Sequence, residues 1–259
     1  MEVSLDILAL LFVVAGAAGF IDAMAGGGGL LTLPALLAAG VPPAQALATN
    51  KLQSSFGSFS ASLYFVRRGL VNLREMAFAI VCTYIGAATG AELVQRIDAS
   101  VLTTLIPGLL ICISLYFLLA PQTRKNDNKK PLSPIWFALI IGTCIGFYDG
   151  FFGPGTGSIF TICFVLLGHF NLVEATARTK ILNFTSNFAA LTFFLIAGLP
   201  IWKIGLVMAV GQFIGGRLGA KVVIAKGQKW IRPLVITMSM VMAIKLLWEQ
   251  HQQWFLSIF

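Results

Sequence analysis

The segment GFIDAMAGGGG at residues 19–29 resembles two stretches in mid-chain, GFYDG at residues 146–150 and GPGTG at residues 153–157. The similarity continues downstream, where ATNKL at residues 48–52 corresponds to ARTKI at residues 177–181. A motif set that recurs once in the same order is typical of a duplicated structural unit. The chain is therefore predicted to consist of two related halves.

The sequence around these motifs is strongly apolar. Its 259 residues are 58% hydrophobic and 11% charged, with a mean hydropathy of +0.88, whereas roughly a quarter of the residues in a soluble domain are charged. Apolar stretches of about 20 residues, long enough to cross a hydrocarbon core of roughly 30 Å, recur along nearly the whole chain. The composition predicts an all-α integral membrane protein, surrounded by membrane lipid and without a separate soluble domain.

Each half contains five apolar segments, so the chain is predicted to have 8–10 membrane segments. The second segment of each half is too short to span a bilayer, since a helix of that length rises only about 17 Å. We interpret it as a short broken or re-entrant helix, the returning arm of a hairpin that begins with the first segment. The predicted segments are 4–22, 29–40, 44–67, 73–95 and 100–120 in the first repeat (1–120), and 133–149, 157–168, 173–197, 202–224 and 231–248 in the second repeat (132–259).

The net charge of +8 comes from short clusters of Lys and Arg between the apolar segments. Because these clusters do not follow one helix face with aromatic neighbours, they indicate membrane topology and not nucleic-acid binding. By the positive-inside rule the polar linker at 121–131 is predicted to be cytoplasmic, together with the clusters at 67–74 and 226–232, and both termini are predicted to lie outside. The loops after the third segments then lie on opposite sides, which predicts two repeats of inverted topology, as in secondary transporters.

Two glycine-rich breaks lie at predicted membrane depth. Irregular backbone survives there only when it is buried in protein or lines a watery cavity. Each break precedes a short helix, whose free N–H groups and positive dipole end can bind an anion. Glycines in membrane helices can also serve close helix packing only, which is how we interpret those at 86, 90, 211, 215 and 219. The candidate substrate-binding residues of the breaks are Gly26, Gly27, Gly28, Gly29, Gly153, Gly155, Thr156 and Gly157.

Lys51 and Lys180 lie about seven residues inside the third apolar segment of each half. A charge within the membrane costs at least a few kcal/mol, so its presence at equivalent positions favours a function. The alternative is that each lysine snorkels to the nearer interface. Polar neighbours that can donate hydrogen bonds to anion oxygens extend the candidate substrate-binding set to Asn50, Lys51, Ser54, Thr179, Lys180 and Asn183.

Asp22 and Asp149 stand at the predicted ends of the first segments, beside the glycine-rich breaks. Each carboxylate could take up a proton during transport, pair with a lysine, or cap the helix that follows. We regard both as candidates for coupling or gating. Whether a proton or a sodium ion is the coupling partner is left open by the residue types.

The sequence contains no motif of a familiar enzyme. Walker A, G-x-S-x-G and H-E-x-x-H patterns are absent, and the chain has only two histidines, so an enzyme is not indicated. The cysteines at 82, 112, 144 and 163 stand singly inside apolar runs. Their spacing suggests neither a metal site nor a disulfide framework, and no cofactor is predicted.

The motif at residues 19–29, Pro34 and the sequence ATNK at residues 48–51, partly repeated in the second half, resemble the sulfite exporter TauE/SafE family of membrane permeases. The resemblance covers essentially the whole chain. It implies a secondary transporter of small anions, sulfite or organosulfur and sulfonate anions, working by alternating access in a bacterial-type inner membrane. It also implies that the two glycine-rich breaks frame the substrate and that Lys51 and Lys180 supply positive charge.

The sequence leaves alternatives open about both the site and the class of protein. The second motif departs from the first in its Pro154 and Thr156 and in the bulky Phe151 and Phe152 before it, so the two halves need not contact the substrate equally. A passive anion channel would use the same residues. So would a membrane-embedded anion-binding or sulfur-handling protein without net transport.

Overall fold

The structure is a computed structural model that describes residues 4–98 and 131–226, together with 100–102, 105–106, 108–109 and 112. Within these residues all regular structure is helical, which confirms the predicted all-α class. The predicted segment 231–248, much of 100–120, linker residues 121–130 and the C-terminus lie outside the described residues.

Residues 4–98 and 131–226 form eight helices, and the ends of these helices fall within a few residues of the predicted segments. Caps fix several of the starts: the Asn72 side chain accepts from Arg74 N, and the Asn171 side chain accepts from Glu174 N. Each bond satisfies a backbone N–H that has no partner in the first turn. The helices are α1 Leu5–Ala25, α2 Gly29–Ala38, α3 Pro43–Arg67, α4 Leu73–Gln95, α5 Pro134–Phe151, α6 Thr156–Leu166, α7 Leu172–Ile196 and α8 Trp202–Lys226.

Helix length and polarity separate three kinds of element. Helices α1, α4, α5 and α8 are long and apolar enough to cross a membrane. The short helices α2 and α6, of 10 and 11 residues, are not, as predicted. Helices α3 and α7 have 25 residues each, about 37 Å of helix, but about half of their buried residues are polar. The two polar helices pack against each other at the centre of the protein.

Two apolar clusters mark the two ends of the helix bundle. The first cluster contains Leu11 near the start of α1 and Leu36 near the end of α2. The second contains Phe137 near the start of α5 and Phe164 near the end of α6, with ring centroids 4.5 Å apart. Each short helix therefore returns to the end of the bundle at which its partner began. The corresponding helices α1 and α5 begin at opposite ends.

Helices of one half pack against helices of the other half. Helix α1 packs along α8, and α4 packs along α5, so the first helix of each half lies against the fourth helix of the other. A Cβ on Gly90 would overlap the Phe147 backbone oxygen, and one on Gly219 would overlap the Phe20 backbone oxygen. These glycines, together with Gly86, bring the helices into backbone contact, in agreement with their interpretation as packing residues.

We expect Gly215→Ala to destabilise the protein by about 1–3 kcal/mol, the usual cost of overfilling a packed interface. A methyl at Gly215 would overlap the backbone oxygen of Gly16, and backbone cannot rotate away as a side chain can. The measurement is thermal unfolding of the detergent-purified protein. Gly16→Ala is the matched control, because its methyl would lie 3.7 Å from the Gly211 oxygen, an ordinary contact. Equal midpoints for the two variants would contradict the assignment.

Candidate functional site

The two glycine-rich breaks meet at the middle of the protein. Helix α1 ends at Ala25, and the next residue, Gly26, has a φ of +80°, a left-handed conformation that glycine adopts without strain. A Cβ there would overlap the backbone of Gly157 and Ser158. The Ser158 hydroxyl donates to the Ala25 carbonyl, which joins the two breaks directly. The residues predicted to frame one site from both halves are therefore in contact.

Lys51 of α3 is buried and paired with the opposite half. Its side chain is 1% exposed, and its Nζ lies 2.7 Å from Asp149 Oδ1. The Asp149 carboxylate is 3% exposed and also accepts hydrogen bonds from the hydroxyls of Thr156 and Ser186. This aspartate accepts from donors on three helices, α3, α6 and α7.

Lys180 of α7 makes the corresponding pair with the first half. Its Nζ lies 2.9 Å from Asp22 Oδ2, and the Lys180 side chain is 1% exposed. The other carboxylate oxygen of Asp22 accepts from the backbone N–H of Gly28, at the start of α2, at 3.2 Å. The Asp22 side chain is 17% exposed, more than that of Asp149.

Both lysines therefore pair with the aspartate of the other half, and neither reaches an interface. This excludes snorkelling in this conformation. Two of the alternatives for the aspartates occur together: both pair with a lysine, and each also accepts a hydrogen bond at the start of a short helix. A charge this deeply buried is stable only with such partners.

The prediction that Asp22 and Asp149 end the first segments is wrong. Helix α1 continues to Ala25 and α5 to Phe151, so both carboxylates lie within the last turn. The reason is that the Asp22 carbonyl still accepts from Gly26 N at 2.8 Å. The helix stops only where the positive φ of Gly26 turns the backbone. This placement aims the carboxylates toward the lysines of the opposite half.

A polar cavity lies between the two ion pairs. Its volume is about 20 Å³, room for about one water molecule. An oxyanion of four or more heavy atoms needs more space, so the surrounding helices must move apart to admit one. The cavity is lined by Asp22, Gly26, Gly29, Asn50, Lys51, Ser54, Asp149, Gly153, Gly155, Asn183 and Asn187.

Two carboxamides supply hydrogen-bond donors to this cavity. Asn50 Oδ1 accepts from Thr32 Oγ1 and Gln53 Nε2 at 2.6 and 2.8 Å, and Asn183 Oδ1 accepts from Asn187 Nδ2 at 2.7 Å. With their oxygens so occupied, the Nδ2 groups of Asn50 and Asn183 have no partner among residues 4–98 and 131–226. Since an amide nitrogen is only a donor, these groups suit an anion.

The other predicted site residues support the cavity without lining it. Gly28 donates its N–H to Asp22, Thr156 donates its hydroxyl to Asp149, and Lys180 pairs with Asp22. Thr179 accepts from Thr161 at 3.1 Å. Gly27 lies in the connection between α1 and α2, and Gly157 is the second residue of α6. That the whole set binds substrate remains a prediction.

Three residues with a part in the site were not in the predicted set. Ser186 donates to Asp149, Asn187 lines the cavity, and Thr32 donates to Asn50. Ser186 and Asn187 stand out in the sequence as polar residues about two helical turns after Lys180, and this spacing on α7 was the available signal. Thr32 has no such signal, because the fold of the hairpin places it.

The charged groups of the site sum to zero, since two ammonium groups face two carboxylates. In the part of the chain described here, no three His, Cys, Asp or Glu side chains are placed to hold a metal ion. The chemistry available is reversible ion pairing and hydrogen bonding to anion oxygens. An anion that enters competes with a carboxylate for a lysine.

Comparison with known proteins gives one family. The family model described as Sulfite exporter TauE/SafE matches residues 11–246. No solved structure matches the chain.

Curated relatives match over nearly their full length. The chain is 53% identical to "Probable membrane transporter protein YfcA" of Escherichia coli strain K12, over 95% of this chain and 92% of that protein. It is 49% identical to a "Probable membrane transporter protein" of Haemophilus influenzae, over 98% and 99% of the two chains. A more distant relative is "Probable membrane transporter protein YunE" of Bacillus subtilis, at 25% identity over 85% and 88%.

Proposed function

The chain belongs to the sulfite exporter TauE/SafE family, and from this membership we propose that it is a secondary transporter of small anions. Its substrates are sulfite or organosulfur and sulfonate anions. It works by alternating access, with the substrate held at the centre of the protein between the two halves.

The observation that carries this proposal is the pair of buried Lys–Asp contacts at one polar cavity, each crossing from one half to the other. Around that cavity, lysine ammonium groups, carboxamide N–H groups and the starts of α2 and α6 all present positive charge or donors. An oxyanion has several oxygens that accept such bonds. The cost of burying four charges in a membrane protein is difficult to explain by stability only.

Alternating access is supported by the arrangement of the helices. Corresponding helices of the two halves begin at opposite ends of the bundle and exchange partners across it, as two repeats of inverted topology do. The central cavity is too small for an oxyanion and lies between ion pairs that join the halves. This favours a carrier, in which the halves separate on one side at a time, over an open anion channel.

We further propose the sidedness from the basic clusters. Arg67, Arg68 and Arg74 lie at the end of the bundle marked by the second apolar cluster, where α3 ends and α4 begins. The positive-inside rule places this end in the cytoplasm of a bacterial cell with an inner membrane. The end of the bundle marked by the first apolar cluster then faces the outside.

Thermal stabilisation by added anions is the first test of the binding site. A ligand that binds the folded protein raises its unfolding temperature, so one of sulfite, thiosulfate or sulfoacetate is expected to do so and chloride is not. Ser54→Ala is expected to weaken the binding about tenfold, because a hydrogen bond to a charged group is lost. Ser54 lines the cavity.

Ser58→Ala is the matched control. The Ser58 hydroxyl already donates to the Ser54 carbonyl at 2.6 Å, and Ser58 is not part of the cavity wall. Equal weakening by both variants would contradict the proposed site. No stabilisation by any of these anions would count against the proposed substrate class.

A further inference from the structure

The two ion pairs differ in a way that the repeat does not require. Asp149 accepts from Lys51, Thr156 and Ser186, whereas Asp22 accepts from Lys180 and a single backbone N–H. An ionised carboxylate has about four lone-pair sites. Asp149 therefore has most of its sites occupied, while Asp22 has free acceptor capacity and lines the cavity with a side chain that is 17% exposed.

The sequence encodes this difference. Thr156 is the first residue of its short helix, and the first residue of the other short helix is Gly29. Ser186 follows its lysine by six residues, and the position six residues after Lys51 is Gly57. Both hydroxyls that surround Asp149 are thus replaced by glycine around Asp22. A Cβ on Gly57 would overlap Gln212 Oε1, so a hydroxyl-bearing side chain there would require Gln212 to move.

We propose that Asp22 is the coupling site and that it binds one proton for each monovalent anion carried, while Asp149 stays ionised as the fixed partner of Lys51. The proposal rests on the function proposed above. A proton from water adds to the free lone pair of Asp22, the neutral carboxyl group releases Lys180, and the Lys180 ammonium binds the anion. Both leave together on the other side, and the Asp22–Lys180 pair forms again.

Charge and space favour a proton over a sodium ion. The four charged groups sum to zero, so a lone monovalent anion would leave one uncompensated buried charge, and a cation that enters with it restores neutrality. A sodium ion at Asp22 would stand next to the Lys180 ammonium, and it would add its own volume to that of the anion, for which the cavity of about 20 Å³ already has to expand. A proton adds no volume.

The groups that face Asp22 are few. Lys180 of α7 contacts it, and Lys51 of α3 and Asp149 of α5 line the same cavity. On α8, which packs along α1, Lys203, Arg217 and Lys221 are exposed. The remaining titratable residues on the described elements around α1 are Tyr64 and Arg67 of α3, Cys163 of α6, Glu174 and Arg178 of α7, and Lys203, Arg217 and Lys221 of α8, and none of them lines the cavity.

The first test needs no substrate. Infrared difference spectra of the purified protein, taken between mildly alkaline and mildly acidic buffer, are expected to show the carbonyl band of a buried carboxylic acid. Asp22→Asn is expected to remove this band, and Asp149→Asn is expected to keep it. A band lost with Asp149→Asn but kept with Asp22→Asn, or kept in both, would overturn the proposal.

Ser186→Ala provides a second variant if Asp149→Asn cannot be purified. It removes one donor from Asp149 and leaves all four charges in place. We expect the band to persist in Ser186→Ala and to vanish when Asp22→Asn is added. Persistence of the band in the double variant would assign it to another carboxyl group and overturn the proposal.

Transport tests the coupling itself. Proteoliposomes with a trapped pH-sensitive dye are supplied with methanesulfonate, a sulfonate that stays ionised and carries no proton of its own. Wild-type protein is expected to move protons with methanesulfonate, and Asp22→Asn is expected to carry it more slowly with no proton movement. Proton movement that persists in Asp22→Asn, or uptake that requires sodium, would overturn the proposal. Absence of methanesulfonate uptake by wild-type protein would count against the proposed function, and the infrared result would still decide the role of Asp22.

Discussion

Replacing Lys51 with alanine is expected to lower the stability of the purified protein by about 3–5 kcal/mol, the usual cost of leaving a buried charge without its partner. The variant leaves the Asp149 carboxylate, 3% exposed, with two hydroxyl donors and no counter-ion. It is also expected to abolish anion uptake. Unfolding in detergent and uptake into proteoliposomes are the two measurements.

The double variant Lys51→Ala, Asp149→Ala separates stability from function. With both charges removed, no uncompensated ion remains, so much of the lost stability is expected to return while uptake stays absent. Lys203→Ala is the control, because Lys203 is exposed at the start of α8. A Lys51→Ala protein as stable and as active as Lys203→Ala would contradict the importance of the pair.

Gly26→Ala is expected to have an effect of similar size. Alanine at a φ of +80° costs about 1–2 kcal/mol, and its methyl would overlap the backbone of Gly157 and Ser158. The two glycine-rich breaks cannot then meet at their present distance. We expect lower thermal stability, loss of stabilisation by anions and loss of uptake.

Gly27→Ala tests whether the loss of stability comes from the contact of Gly26 with Gly157 and Ser158 or from replacing any glycine of the motif. A Cβ on Gly27 would meet only the end of the Leu30 side chain, at 3.8 Å, an ordinary contact. Its unfolding temperature is therefore expected to stay close to that of the wild type. A loss in Gly27→Ala as large as in Gly26→Ala would mean that the contact between the breaks is not the cause.

Much of the fold could be predicted because the length of an apolar run can be read directly from a short stretch of sequence. Apolar runs separated by Arg67–Gly69 and by Ala197–Gly198 gave the long helices to within a few residues. The shortness of α2 and α6 followed from counting residues against bilayer thickness. The prediction places the end of α1 at Asp22, three residues too early, because the Asp22 carbonyl still accepts a helical hydrogen bond from Gly26 N.

The membership of the site was also largely predictable, but its pairing was not. Repeated motifs singled out Lys51, Lys180, Asp22 and Asp149, and the structure brings all four together. Which lysine meets which aspartate depends on how the halves pack, and this information is not local. The same holds for Ser186, whose contact with Asp149 requires α7 to cross α5.

Uptake into proteoliposomes tests the central claim most directly. The purified protein is reconstituted and supplied in turn with sulfite, thiosulfate, sulfoacetate and methanesulfonate, with Lys51→Ala and protein-free vesicles alongside. We predict uptake of at least one of these anions that saturates with concentration, is accelerated by the same anion inside, and is absent in Lys51→Ala. Uptake that rises without saturation would indicate a channel, and no uptake of any of them above protein-free vesicles would contradict the account.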